Sequence, residues 1–296
     1  GSVICIAIIV VYSIIQLLIA IINNKGRVTI LNDITPGTEP MLIKVNDPDD
    51  DSSIHMKRSF NEKQGIEYTY STWIFIEANN WSINNNTVNN SDNDILRDKY
   101  KSALEDAVTN GHITAQIRDN LLDEFNTYMT QQTTSNTTNG IFPSPITDHH
   151  VLSKGNKSFY PTVNPGIFIS RTTNEIYIYI NIYNNTLLWD KITIKNVPIS
   201  KWFMLTVTVE NKNVNVYMNG FVKKTHILRY LPKQNDGHIY INQYGGFNGN
   251  VSRIYYWDYA ITANELRHIY NKGPGKPKVK EIKTDSHYLA SQWWLG

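Results

Sequence analysis

Long apolar, alternating and helical patterns follow one another along this chain. Residues 3–22 read VICIAIIVVYSIIQLLIAII, with no charge and with Ile, Val and Leu at most positions. About 20 residues rising ~1.5 Å each cover about 30 Å, the hydrocarbon thickness of a bilayer. The run is longer than the apolar core of a secretory leader. Asn23-Asn24-Lys25-Gly26-Arg27 follows it in place of a small-x-small cleavage site. A transmembrane helix embedded through Val3, Ile9, Leu17 and Ile22 is therefore expected, with residues 1–27 as anchor and basic exit.

Residues 28–62 are rich in Asp, Pro and Gly and predict a connector holding one early strand at 41–45. From residue 66 the pattern becomes period two. Ile66, Tyr68 and Tyr70 alternate with Glu67, Thr69 and Ser71, while Trp73 and Phe75 bring apolar groups to the second face, which predicts a cover on both sides there. Residues 78–148 change again. Asn/Thr stretches bracket two four-residue periods, Leu96-Tyr100-Leu104-Val108 and Ile117-Leu121-Phe125-Met129, separated by Asn110-Gly111. These predict a helical hairpin inserted in a loop, where extra length costs little closure entropy. Strands are then expected at 166–171, 175–183, 202–210, 213–219, 237–242 and 251–256, with Asn219-Gly220 as a hairpin turn. Thr262 and Glu265 form a capping box, stapled by Ile261 and Leu266, that opens a short helix ending near Asn271. A basic and aromatic tail, 276–296, carries Trp293 and Trp294.

Composition narrows the functions. The net charge of +2 gives no reason to expect nucleic acid as a partner. Charged residues are only 18% and aromatics 11%, with 18 Tyr, a mixture suited to sheets. The one cysteine, Cys5, lies in the apolar run, so no intramolecular disulfide forms, which favours a reducing environment for the folded part. Lys25 and Arg27 after the span place the head in the cytosol by the positive-inside rule. Glycosylation triplets at Asn80, Asn85, Asn89, Asn136, Asn156, Asn184 and Asn250 point the other way, and the topology stays open.

Several segments resemble one family. Lys201-Trp202-Phe203 with Val214 to Gly220 (VNVYMNG), Gly245-Gly246-Phe247-Asn248-Gly249 with Arg253-Ile254-Tyr255-Tyr256, Ala260-Ile261 and Glu265, and Asn164-Pro165-Gly166-Ile167-Phe168 are similar to LamG-like domains of the concanavalin A-like lectin/glucanase superfamily. The resemblance covers about 58–275. It implies an all-β, antiparallel jelly-roll β-sandwich over 63–275, interrupted by the helical insertion at 78–148. The N-terminal span, long polar insertion and Trp-Trp tail further resemble membrane-anchored members encoded by giant DNA viruses, and the abundance of Asn and Ile fits an AT-rich genome.

Glucanases of this fold carry an E-x-D-x-E strand that sets two carboxyls about 5 Å apart. This chain has no such triplet: Glu67 and Glu77 are ten positions apart, and Asp258 and Glu265 fall on a turn and a helix. No catalytic residue, cofactor site or metal site is expected. His149-His150 reads as a solvated loop pair, and the acidic run 47–51 as a solvated linker without EF-hand spacing. Tyr177, Tyr179 and Tyr183 alternate with Ile176, Ile178, Ile180 and Ile182, giving a tyrosine row opposite a core row. Left open, such a row stacks on sugars. A second sheet, the inserted hairpin or a neighbouring subunit would close it. Asn242, Tyr244 and Asn248 form a second candidate sugar site, and Trp293 and Trp294 a candidate tail contact or a strand folding back on the sandwich. The resemblance and the anchor together imply a non-enzymatic, single-pass virion protein, a minor capsid component linking the inner membrane to capsid proteins. The alternative is a surface lectin for host or viral glycans.

Overall fold

β-Branched residues at every second position give each strand one side that must leave water. In the computed structural model of the chain, which describes residues 11, 12, 14, 26–62, 65–81, 90–111, 113–131, 148–157, 159, 162–183 and 189–277, those sides meet between two sheets. The elements are β1 (Arg27–Leu31), β2 (Thr35–Pro36), β3 (Met41–Ile43), β4 (Phe60–Glu62), β5 (Gly65–Ile76), α1 (Asn90–Thr109), α2 (Ala115–Gln131), β6 (His149–Gly155), β7 (Val163–Ile169), β8 (Glu175–Asn181), β9 (Trp189–Lys195), β10 (Trp202–Glu210), β11 (Asn213–Met218), β12 (Phe221–Ile227), β13 (His238–Ile241), β14 (Gly249–Trp257) and α3 (Ala263–Asn271). One sheet runs β1-β14-β5-β10-β11-β12, with β2 beside β14 and β4 beside β5. The other runs β3-β13-β6-β7-β8-β9. The ladders are antiparallel, as in a jelly-roll sandwich.

Ile176, Ile178, Ile180 and Ile182 of the β8 segment face Phe203, Leu205, Val207 and Val209 of β10 in one apolar core. The outer face of the first sheet carries Trp73, Met204, Tyr255 and Trp257, and Leu266 and Ile269 of α3, with Ile261 just before it, cover them. The expected capping box fixes that helix: Glu265 accepts from the Thr262 backbone N–H at 2.7 Å, and Thr262 Oγ1 accepts from the Glu265 N–H at 3.4 Å. Asn219 and Gly220 both adopt positive φ (53° and 84°), which closes the β11–β12 hairpin as their residue types predict. The Gly246 and Gly249 positions are set by close backbone approach. A Cβ would lie 1.9 Å from the Gly37 carbonyl at the first and 1.9 Å from the Phe75 carbonyl at the second.

The stretch expected to be a connector, 28–62, instead supplies strands to both sheets. β1 takes the outer edge beside β14, and β3 takes an edge beside β13. β3 is the early strand expected at 41–45, whereas β1, β2 and β4 were not expected. Pro40 and the run 47–51 lie outside the strands and Pro36 sits in β2, and local composition read as linker what tertiary pairing makes sheet. Three further strands, β6, β9 and β12, were not expected. Lysines interrupt β6 and β9, and β12 (FVKKTHI) is an exposed edge whose polar residues conceal its pairing. The anchor residues Val3, Ile9, Leu17 and Ile22 lie outside the described residues, as do Trp293 and Trp294. Among the described residues no helix is long and apolar enough to cross a membrane.

The β9 and β12 edges are joined across the two layers by Asp190. Its buried carboxylate accepts from the Arg229 backbone N–H at 2.8 Å and from Arg229 Nε at 2.6 Å. Removing one partner of a buried pair strands the other groups without hydrogen bonds. Asp190→Ala is therefore expected to destabilise the domain by roughly 3 kcal/mol, read as a lower urea midpoint at an unchanged m-value.

Candidate functional site

With the isoleucines of β8 committed to the core, the tyrosines must point away from it. They do not meet solvent as an open row. Tyr100, Leu104, Ala107, Ile113 and Leu121 of the inserted hairpin pack over Phe159, Phe168, Tyr179 and Trp189 and form a second apolar cluster on the outer face of the six-stranded sheet. Tyr179 is 1% exposed. Lys191 Nζ stands 3.5 Å from the ring centroid of Tyr177, whose hydroxyl donates to Glu175 at 3.0 Å. Only Tyr183 of the row is exposed, and Lys233 lies 5.7 Å from its ring. The sugar-stacking row is thus replaced by a helix–sheet interface, because the apolar face of the hairpin needs the same surface.

The second candidate set divides. Asn242 is fully buried and donates to the Pro36 carbonyl at 3.0 Å, a structural role that takes it out of contact with any ligand. Asn248 is exposed, with its backbone N–H on Asn80 Oδ1. Tyr244 donates to the Lys157 carbonyl at 2.6 Å and packs edge-on against Phe159. His149 and His150 are not a solvated pair either. They open β6, and His150 is buried between Phe159 and Phe168 with Nε2 2.9 Å from Ser153 Oγ. The acidic run 47–51 is held by Lys44, 3.3 Å from Asp47 and 3.0 Å from Asp50. Ser52 hydrogen bonding, ahead of Lys44, lowers the Asp50 carboxyl to about 2. Among the described residues no cluster of three or more His, Cys, Asp or Glu could hold a metal.

What the hairpin leaves open is a cleft of about 1120 Å³ at its margin. The wall is the end of α1 with Asp106 and Ala107, followed by Asn110, and the floor is the uncovered end of the same outer face with Leu42 and Tyr240. Asn156 and Lys157 after β6, and Asp236 and His238 at β13, complete the rim. A second hollow of about 430 Å³, which shares Pro40, Lys157 and Gln243, prolongs the groove past Tyr244 toward Asp98 and Ser102. Tyr240 alternates with the core residues Ile239 and Ile241, so its ring faces the groove half-buried. Burial, then the Asp106 carboxylate, raises its hydroxyl pKa and keeps the proton on. Asp106 is 3.5 Å from Lys157, and Asp236 is 3.5 Å from Arg58. The groove therefore offers an aromatic face, a protonated hydroxyl, amides and ion-paired carboxylates. That inventory suits binding of a neutral, hydroxyl-rich chain. Tyr240 was missed although its alternation was visible, because nothing in the sequence marks where the helical cover stops.

The histidines and Asp148 give the fold an acid limit. Burial lowers His150 to about 3, and burial followed by Arg171 lowers His149 to about 4; burial raises Asp148 to about 6. Between about pH 6 and pH 4 the unfolded chain binds two more protons at the histidines, while the folded chain binds one more at Asp148. The net slope is a loss of about 1.4 kcal/mol per unit of falling pH. Asp148→Asn removes the opposing contribution and is expected to steepen the loss to about 2.7 kcal/mol per unit, measured as urea midpoints across that range.

Residues 143–267 match the sequence profile of the Concanavalin A-like lectin/glucanases superfamily. No curated protein matches the sequence. Solved structures similar to this one include the receptor binding domain of botulinum neurotoxin D (TM-score 0.45, 9% identity, 83% of this chain and 44% of that one). Also similar are the botulinum neurotoxin serotype D ligand binding domain in complex with N-acetylneuraminic acid (0.44, 11%, 84% and 45%) and the serotype G binding domain (0.43, 13%, 81% and 46%). The chain spans less than half the length of each of them. The profile match extends from just before β6 into α3, and with the two face-to-face antiparallel sheets it fits a concanavalin A-like jelly roll.

Proposed function

We propose that this protein is a membrane-tethered, non-catalytic lectin whose site is the groove between α1 and the β3–β13 edge. The observation that carries the reading is the half-buried Tyr240 ring on the floor of that groove, beside Asp106, Asn110 and Asn156. An aromatic ring binds the apolar face of a sugar while amides and carboxylates take its hydroxyls. The absence of catalysis is supported by the pairing with cations of the two carboxylates that line the larger cleft, Asp106 with Lys157 and Asp236 with Arg58. The tether rests on the uncharged run 3–22.

A second reading, a minor virion component between membrane and capsid shell, is favoured by a different surface. Phe221, Val222 and Ile227 of the edge strand β12 are 79%, 59% and 68% exposed, and an exposed apolar edge suits docking to another protein. Crosslinking within purified particles tests it, and capsid protein joined to β12 is the outcome it requires.

For the lectin, the full chain in lipid nanodiscs is screened on a glycan array, with Tyr240→Ala and Tyr183→Ala alongside. Binding of linear neutral glycans is expected, weakened at least about tenfold by Tyr240→Ala (about 1.4 kcal/mol) and unchanged by Tyr183→Ala. No shortened product is expected after prolonged incubation. An array without signal, or full binding by Tyr240→Ala, removes the reading.

A further inference from the structure

Outside the groove, a set of basic residues without a salt bridge among the described residues lies on the outer face of the eight-stranded sheet, where β1, β14 and α3 meet. Arg27 opens β1 and stands 4.9 Å over the Tyr255 ring. Arg253 of β14 donates from Nη1 to the carbonyls of Lys272 and Gly273 at 2.7 and 2.9 Å, which brings it to the C-terminal end of α3. Lys272 caps that helix, and His268 lies in its last turn. Lys272 is lowered by burial and then by Arg27 and Arg253; His268 is lowered by burial and then by Lys272 and Arg27. No carboxylate contributes to either shift. Lys276 follows, exposed, with its carbonyl on the Ile34 N–H at 3.0 Å.

The acids on these elements do not neutralise the set. Glu265 is engaged by Thr262 and by the Tyr259 hydroxyl, and Asp258 lies beside Gly26 without an ion pair to the cluster. None of Arg27, Arg253, Lys272 and Lys276 forms a salt bridge among the described residues. Capping of α3 accounts for Arg253 alone. Like charges gathered without counter-charge cost stability, and they persist where an anion repays the cost.

The chain itself says which anion comes near. The uncharged run ends at Ile22, five residues before Arg27. Fully extended, that span reaches at most about 17 Å. A bilayer holding residues 3–22 therefore brings its headgroup layer, about 6 Å thick, to within roughly a Debye length of Arg27. We propose that the face formed by Arg27, Arg253, His268, Lys272 and Lys276 docks on the phosphate groups of anionic lipids, so that the head lies against the membrane with the β12 edge pointing away. This rests on the tether reading given above. In the order β1-β14-β5-β10-β11-β12 the cationic face and β12 occupy opposite edges of one sheet.

The test uses the full chain in vesicles of neutral phosphatidylcholine alone and of phosphatidylcholine with about 30% phosphatidylserine, read by flotation and by hydrogen exchange of β1 and α3. Flotation with neutral vesicles in high salt reports the tether alone. Slowing of α3 exchange by about tenfold in the anionic vesicles, reversed by high salt and abolished in Arg27→Ala/Lys272→Ala/Lys276→Ala, is the expected result. Each Lys or Arg near such a surface contributes on the order of fivefold. Equal exchange in both vesicles overturns the docking while leaving the tether in place. Slowing by inorganic phosphate in neutral vesicles overturns it in favour of a small-anion site. If the chain fails to float with neutral vesicles, the tether is lost. The docking is then scored by salt-sensitive flotation with the anionic vesicles alone, which the triple substitution must abolish.

Discussion

The alternation of β8 constrains the rest of this structure. Four isoleucines directed into the core force Tyr177 and Tyr179 outward, onto a face that also carries Phe168 and His150. Such a face cannot stay wet without cost, since about 25 cal/mol is at stake for each Å² of apolar surface. The inserted hairpin resolves it by laying Tyr100, Leu104 and Leu121 over the sheet. Neither part is self-sufficient: most of a helix's stability in a protein comes from packing its apolar face, and the sheet alone would expose an aromatic patch. The insertion is thus a third layer of the domain. Because α3 does the same on the opposite side, both outer faces of the sandwich are partly roofed.

Much of this is legible in the sequence. The two-faced strand at 66–77, the isoleucine row, the Asn219-Gly220 turn and the capping box at Thr262 rest on local rules of period and dihedral angle, and each took its expected place. Failures came where tertiary pairing overrode local composition. The strand expected at 41–45 formed as β3, but the Asp- and Pro-rich surroundings hid β1, and lysines on exposed faces hid β9 and β12. His149-His150 misled for a related reason. Imidazoles accept burial once burial itself removes their charge, and sequence does not show which side of a strand will be roofed.

The candidate site follows from the same roof. A tyrosine row is visible in the sequence, but the hairpin packs over it with Tyr100, Leu104 and Leu121. Tyr244 is the residue of the expected set that still borders the open groove, and Tyr240 lies on its floor. The outer face of the six-stranded sheet is therefore largely covered here. In the proposed lectin, recognition moves to the margin between insertion and sandwich, where the cleft borders the end of α1.

Tyrosine nitration of the intact protein, mapped by mass spectrometry, tests that arrangement most directly. The account predicts fast modification of Tyr183 and Tyr230, intermediate reaction at Tyr240, and protection of Tyr179 until the domain unfolds. Nitration of Tyr179 at the rate of Tyr183 in the folded protein would mean that the hairpin does not cover the sheet, and the groove described here would have no wall.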